Sequence, residues 1–130
     1  MKTKLTLTIL GILNLLGATS LILSAIFLPV NELKIVISDN PDVLRMGTLM
    51  SYLAGVLFLI IGLILLMSRN CSLVTAKNLL LAYILGELAH VYVLFGIFRN
   101  DSLMNFPIED IIWEIPVLGL AIFGYFKAKE

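Results

Sequence analysis

Long apolar segments alternate with short polar ones along the whole of this 130-residue chain. The apolar segments cover residues 5–28, 46–67, 76–98 and 108–126. Each is close in length to the roughly 20 apolar residues with which a helix crosses the hydrocarbon core of a bilayer. The pattern therefore predicts four transmembrane helices.

The polar residues before two of these segments are typical of helix starts. Asn40 can cap a helix whose first residue is Pro41, where the missing N–H of proline costs nothing. Pro107 has the same position before the fourth segment, and Glu109 and Asp110 follow it in the positive first turn. We therefore expect a single domain over residues 1–130, with helices over about 5–28, 41–67, 76–98 and 107–126 and an outer loop over 29–40.

The composition supports a membrane protein over a soluble one. Hydrophobic residues make up 60% of the chain and charged residues 14%, whereas soluble domains are about 45–50% apolar and about 25% charged. Nine basic and nine acidic residues cancel, so there is no bulk positive charge to attract nucleic acid. We expect an all-α, multi-pass protein of the cell membrane, with membrane lipid as its surroundings and no nucleic-acid partner.

Basic residues are distributed unevenly between the two ends of the predicted helices. Cytoplasmic loops of membrane proteins carry an excess of lysine and arginine. The excess here is on the side that holds both termini, so we expect an antiparallel up-down-up-down four-helix bundle with both termini in the cytoplasm. That side carries Lys2, Lys4, Arg69, Lys77, Lys127 and Lys129, and the other carries Lys34, Arg45 and Arg99.

Small residues form a stripe along one face of the second helix. Gly47, Ser51 and Gly55 follow one another at four-residue spacing, and Gly62 comes seven residues later. Helices in lipid approach closely where small residues face each other. The stripe predicts helix packing within the monomer, and a homodimer or another membrane protein as the packing partner remains an alternative.

Two ionisable residues interrupt the third apolar segment. Glu87 lies about 16 Å from the outer end of its helix at 1.5 Å per residue, and His90 lies one turn nearer that end. At 100° per residue, Tyr83, Glu87 and His90 fall within about 60° of one another. A charge at this depth costs about 2.5–3.5 kcal/mol, so these side chains are expected to face protein rather than lipid.

Other helices offer polar partners at a similar depth. Glu114 enters the fourth helix two residues before Pro116, which removes one helical hydrogen bond and predicts a kink. Arg45 and Tyr52 of the second helix are further candidates, with Ser20 and Asn14 completing the lining. We predict one polar cluster of Glu87, His90, Glu114, Arg45, Tyr83 and Tyr52, which either neutralises itself to fix the helix register, binds a ligand, or relays protons or ions.

Metal and cofactor chemistry receive little support from the motifs. Glu87-x-x-His90 has the spacing of di-iron bundle proteins, but those proteins carry the motif on two helices. It occurs once here, so we expect no metal and no cofactor. The single Cys71 excludes a thiol pair, and no nucleophile elbow or phosphate loop is present.

Three stretches resemble the small four-helix membrane proteins related to DoxX. An arginine precedes a glycine-containing apolar run in "LRMGTLMSYLAGVLFLIIGLILL", a third helix ends in a charged turn in "GELAHVYVLFGIFRND", and a glutamate enters the fourth in "WEIPVLGLAIFGYF". Where that family has a second arginine in the third helix, this chain has His90. The chain is more distantly similar to EXPERA membrane domains, which bind or isomerise sterol-like lipids with buried acids.

Three functions follow from these observations. The leading hypothesis is that the polar cluster binds the head of a small amphipathic or lipid-like molecule. The alternative is an accessory subunit of a larger membrane complex, with the small-residue stripe against its partner. The third is a lipid or sterol isomerase in which Glu87 or His90 acts as acid or base, and the sequence leaves open whether the protein is an enzyme.

Overall fold

A computed structural model describes residues 3–28, 36–104 and 108–128, without the side chains of residues 110 and 111. The predicted roles of Lys2, Lys34, Pro107 and Lys129, and most of the outer loop over 29–40, lie outside this part of the chain. Within it, the regular structure is helical apart from an antiparallel β-bridge between Val36 and Met104. The helices are α1 (Thr3–Phe27), α2 (Pro41–Met67), α3 (Leu73–Tyr92), α4 (Ile108–Ile111) and α5 (Glu114–Phe126).

Three helical stretches are long and apolar enough to cross a membrane. They are Thr3–Phe27, Pro41–Asn70 and Leu73–Asn100. The second includes a 3₁₀ turn that extends α2, and the third includes a π-helical turn and a 3₁₀ turn that extend α3. With 13 residues, α5 is equally apolar but spans only about 20 Å at 1.5 Å per residue. These three helices give the chain the character of a membrane protein.

The starts of α2 and α3 are set by capping side chains. The Asn40 side chain accepts a hydrogen bond of 2.9 Å from the N–H of Asp42, with Pro41 as the first helical residue, which confirms the predicted start. The predicted third helix begins three residues too late, at 76 instead of Leu73. Ser72 is the reason, because its Oγ accepts from the N–H of Thr75 and caps the helix earlier.

The fourth predicted helix, over 107–126, is broken in the structure. A turn at residues 112–113 separates α4 from α5. Pro116 explains the break, because it has no N–H for the carbonyl of Ile112 and its ring crowds that carbonyl. The N–H of Ile115 bonds to the Ile112 carbonyl instead, at 3.3 Å. The helix is therefore interrupted where only a kink was expected, and α5 begins at Glu114.

The small-residue stripe of α2 is buried inside the chain. A Cβ atom at Gly62 would lie 3.0 Å from the Gly11 carbonyl oxygen, and one at Gly55 would lie 2.6 Å from Cγ1 of Ile22. Both contacts are with α1, so these glycines let the two helix backbones approach closely. Gly47 lies under Val36, and Ser51 is buried as well. Gly55 and Gly62 are therefore covered by α1, whereas Gly47 and Ser51, although buried, also line the space between the helices.

The tightest packing is found at one end of the molecule. Leu7, Leu10 and Leu80 are fully buried there, beside Leu65 and Ala121. These residues come from the first half of α1, the end of α2, the middle of α3 and the second half of α5. The opposite halves of the helices contribute few buried apolar residues, and it is between those halves that the candidate site lies.

Candidate functional site

An open groove of about 1390 Å³ runs between the helices. Helix α1 packs closely on α2, and α3 packs closely on α5, whereas α2 and α3 make little contact with each other. The groove is the space left between these two pairs, with α2 on one side, α3 and α5 on the other, and α1 as its floor. The lining runs from Gly47 to Leu65 along α2 and from Leu79 to Phe98 on the facing side, so the groove is elongated along the helices.

The walls of the groove are mostly apolar. Leu53 and Leu57 of α2 line it and are more than half exposed, and Ile61 continues the same wall one turn further on. On the facing side the lining of the groove includes small or medium-sized residues, among them Gly86 and Val117. Such a surface is suited to a hydrocarbon chain, whether of a bound molecule or of membrane lipid.

Three ionisable side chains meet at one point in this apolar groove. Glu87 and His90 come from successive turns of α3, and Glu114 comes from the first residue of α5. One ligand atom from each lies within 4.8 Å of the other two. The break before Pro116 contributes to this meeting, because it makes Glu114 the first residue of a new helix. The structure thus brings together three of the six predicted cluster residues.

Glu87 is the most deeply buried member of the cluster. Its side chain is 7% exposed, and Oε1 lies 3.7 Å from Nδ1 of His90, which is too long for a hydrogen bond. Among the described residues, Oε1 of Glu87 has no hydrogen-bond partner. A buried acceptor without a partner costs about 1–3 kcal/mol. The His90 imidazole is therefore in ion-pair contact with Glu87 without completing a hydrogen bond, and Oε1 remains incompletely satisfied.

Asn14 and Tyr83 form the polar floor next to the cluster. The Nδ2 group of Asn14 donates to the Leu10 carbonyl at 2.9 Å and to the Tyr83 hydroxyl oxygen at 3.0 Å. Both amide hydrogens of Asn14 are thereby used, and the hydroxyl hydrogen of Tyr83 is left to donate elsewhere. Tyr83 lies one turn before Glu87 on the same face of α3, as predicted from the spacing.

Phe58 is a site residue that the sequence reasoning missed. Its ring meets the His90 imidazole edge to face, with centroids 5.7 Å apart and planes at 69°. This contact links α2 to α3 across the groove and fixes the plane of the imidazole. A signal was available, because Phe58 comes seven residues after Ser51 and so continues the small-residue face of α2.

Arg45 and Tyr52 are not part of the cluster. Gly47 faces inward, and Arg45 precedes it by two residues, or about 200° around the helix, so its side chain is exposed at the start of α2. The Tyr52 hydroxyl donates to the Ala25 carbonyl at 3.1 Å, which ties α2 to the end of α1. The predicted role of Arg45 as the cation that neutralises the glutamates is therefore not supported by its position.

The remaining lining matches the expectation in part. Ser20 and Asn14 both line the groove. Trp113 also lines it and is 72% exposed, at the turn between α4 and α5.

The cluster offers carboxylate oxygens and an imidazole nitrogen, so it can accept hydrogen bonds, hold a cation or exchange a proton. The chain matches no protein-family model, no curated protein and no solved structure, and its function is argued from this geometry.

Proposed function

We propose that this chain is a multi-pass membrane protein that binds a small amphipathic molecule in the groove. The molecule's polar head lies at Glu87, His90 and Glu114, and its apolar part lies along Leu53 and Leu57. The observation that carries the proposal is an acidic, incompletely paired cluster within a long apolar groove.

The proposed arrangement in the membrane is an antiparallel bundle in the cell membrane. Helices α1, α2 and α3 cross the bilayer, and α4 and α5 together complete a fourth, interrupted crossing. The common packing of the first half of α1, the end of α2 and the second half of α5 supports the antiparallel order. The excess of basic residues around Lys4 and Arg69 supports a cytoplasmic position for both termini.

The head group that fits this cluster is a hydrogen-bond donor. Glu87 Oε1 is an unpaired acceptor, and Glu114 adds further carboxylate oxygens close by. A hydroxyl can donate to either carboxylate and accept from the imidazole or from the Tyr83 hydroxyl. We therefore propose a hydroxyl-bearing amphiphile, whose head replaces the missing partner of Glu87.

The dimensions of the groove favour a long apolar part. Enclosed small-molecule pockets measure about 300–1,000 Å³, and this groove, at about 1390 Å³, is larger and open. A molecule with a hydrocarbon chain or a flat ring system can cover that length while its head stays at the cluster. It would exclude lipid from the groove without being enclosed by protein.

Trp113 gives this proposal a direct test, because it is the chain's one tryptophan and it lines the groove. Bromine atoms quench tryptophan fluorescence on contact. Purified protein in detergent is titrated with a long-chain alcohol brominated in its chain, and we expect saturable quenching of Trp113. The matched probe is the methyl ether of the same brominated chain, which partitions into detergent equally but has no donor.

Variants of two glutamates separate binding from partitioning. Glu87→Gln is expected to weaken the quenching by the alcohol at least tenfold, since the acceptor charge is lost. Glu109→Gln removes an exposed carboxylate of α4 outside the cluster and is expected to behave as wild type. Equal quenching by the alcohol and its methyl ether, or no effect of Glu87→Gln, would contradict the proposed site.

A further inference from the structure

We propose that Glu87, His90 and Glu114 form a three-ligand site for a divalent transition-metal ion, with zinc the ion that suits them best. Counting motifs along the helices argued against a metal, because Glu-x-x-His occurs once. That count did not include a third ligand from another helix. This ligand is Glu114, the first residue of α5. The carboxylate and imidazole atoms of the three residues lie within 4.8 Å of one another.

The distances are close to those of a metal site. Zinc binds imidazole nitrogen and carboxylate oxygen at about 2.0–2.2 Å, so its ligand atoms are about 3.3–3.6 Å apart in tetrahedral geometry. Nδ1 of His90 and Oε1 of Glu87 are already 3.7 Å apart, at the i, i+3 spacing that metal-binding bundles use. Side-chain rotation of Glu114, which is half-buried, supplies the remaining movement of about an ångström.

A buried oxygen of Glu87 that makes no hydrogen bond is a second indication of a ligand at this point. The side chain is more than nine-tenths buried, and Oε1, the atom without a hydrogen bond, is the one that lies toward His90. Two carboxyl groups that lie close together in an apolar groove cannot both be ionised without a compensating charge, and a divalent cation would supply it while bonding to both. A neutral site is favoured where the surroundings are apolar.

Neighbouring residues restrict the imidazole and supply a hydrogen-bond donor close to the carboxylate. Phe58 fixes the ring plane of His90 from α2, and Nδ1 is turned toward Glu87. Tyr83, anchored by Asn14, stands one turn from Glu87 with a free hydroxyl hydrogen. Such second contacts orient the ligands, and their loss typically weakens metal binding by about 10–100-fold.

The donor set selects among metals. One nitrogen and two carboxylate groups with no sulfur suit zinc or ferrous iron better than copper(I), which prefers thiolate or thioether. Three protein ligands leave a fourth position of zinc open, and here that position faces the groove. The metal site does not depend on the amphiphile, but a hydroxyl oxygen in the groove could complete its coordination.

The test is zinc binding by the full chain purified in detergent with a histidine-free tag. Competition with a fluorescent zinc indicator gives the affinity, and elemental analysis gives the stoichiometry. We expect one zinc per chain, at least about 100-fold weaker binding in Glu87→Gln and in Glu114→Gln, and unchanged binding in Glu109→Gln. Wild-type protein that binds no zinc, or a Glu114→Gln variant that binds as tightly as wild type, would overturn the site.

A variant that replaces one zinc ligand by another shows whether a loss of zinc binding in the other variants is due to misfolding. His90→Cys keeps a zinc ligand, and X-ray absorption at the zinc edge is expected to change from nitrogen and oxygen at about 2.0–2.2 Å to a shell with one sulfur at about 2.3 Å. An unchanged first shell in this variant would show that His90 is not a ligand. Repeating the brominated-alcohol titration in chelator tests the amphiphile without the metal, so either proposal can fail alone.

Discussion

Asn14 and Tyr83 stand 69 residues apart in the chain and are joined by a hydrogen bond of 3.0 Å between Nδ2 and the phenol oxygen. This bond connects α1 to α3 at the floor of the groove, beside the cluster. It also orients Tyr83 so that its hydroxyl hydrogen remains available near Glu87. The bond therefore has both a packing role and a role in shaping the site.

Removing this hydrogen bond is expected to destabilise the protein modestly. Tyr83→Phe leaves Asn14 bonded to the Leu10 carbonyl alone, and interhelical bonds of this kind average about 0.6 kcal/mol in membrane proteins, with a maximum of about 1.7. Reversible unfolding in mixed micelles measures the change. We expect the coupling energy of Tyr83→Phe and Asn14→Ala to lie in that range.

The control for this cycle is the other tyrosine that bonds to α1. Tyr52→Phe removes the bond to the Ala25 carbonyl, which Asn14 does not touch. Its effect should add to that of Asn14→Ala without coupling. A coupling near zero for the Tyr83 pair would show that the bond contributes nothing to stability.

Glu87→Gln should change the stability in opposite directions with and without metal. In chelator, the substitution removes a buried carboxylate without a full set of partners, and we expect the free energy of unfolding to rise by about 1 kcal/mol. With free zinc at 100 times its dissociation constant, wild type gains about 2.7 kcal/mol and the variant gains little. The order of the melting temperatures should then reverse.

Glu109→Gln is the matched variant for this comparison, because its carboxylate is exposed and outside the cluster. It should follow wild type in both buffers. If Glu87→Gln melts below wild type in chelator as well, the carboxylate is stabilised by the His90 contact alone and the metal is not needed to explain it.

The glycines of this chain should differ sharply in their tolerance of a methyl group. Gly62→Ala places Cβ 3.0 Å from the Gly11 carbonyl oxygen and from two atoms of Leu15. Separating α1 from α2 to relieve this crowding is expected to cost about 1–3 kcal/mol. A Cβ at Gly119 meets nothing within 4 Å, so Gly119→Ala should leave the stability unchanged or slightly raised. Equal losses in the two variants would show that α1 and α2 are not seated as described.

The proposed orientation can be tested with single cysteines in a chain whose one cysteine, Cys71, is replaced by serine. Asn70 and Ser102 are both exposed, after α2 and in the turn that follows α3. We expect a membrane-impermeant maleimide to label Ser102→Cys in intact cells and Asn70→Cys only after permeabilisation. The reverse pattern would place both termini outside.

Local features of the sequence were sufficient to predict most of the helical structure. Asn40 and Pro41 marked the start of α2, because capping depends on adjacent residues alone. The common face of Glu87 and His90 likewise follows from helix geometry. Ser72 is an equally local capping signal for the start of α3. It was overlooked because the apolar segment begins only at residue 76, and the helix was expected to begin there too.

The composition of the cluster was harder to predict, because it depends on how each helix is rotated about its axis. The predicted depth of Glu114 was a useful guide, but the turn before it, which makes it the first residue of α5, was expected only as a kink. Arg45 was expected to reach the cluster from the outer end of α2 with its long side chain, but it is exposed and lies on the opposite side of α2 from Gly47. The spacing from Ser51 places Phe58 on the small-residue face of α2, but the pattern alone does not show that this ring meets His90 of α3.

The groove is elongated along helices α2 and α3, which make little contact with each other, and this bears on how a molecule in the bilayer would enter it. An amphiphile dissolved in the membrane would reach Glu87 by lateral diffusion between α2 and α3, with its chain remaining in hydrocarbon throughout. Occupancy would then follow the mole fraction of the amphiphile in the bilayer rather than its concentration in water. Binding curves measured at different lipid-to-protein ratios should coincide only when they are plotted on that scale.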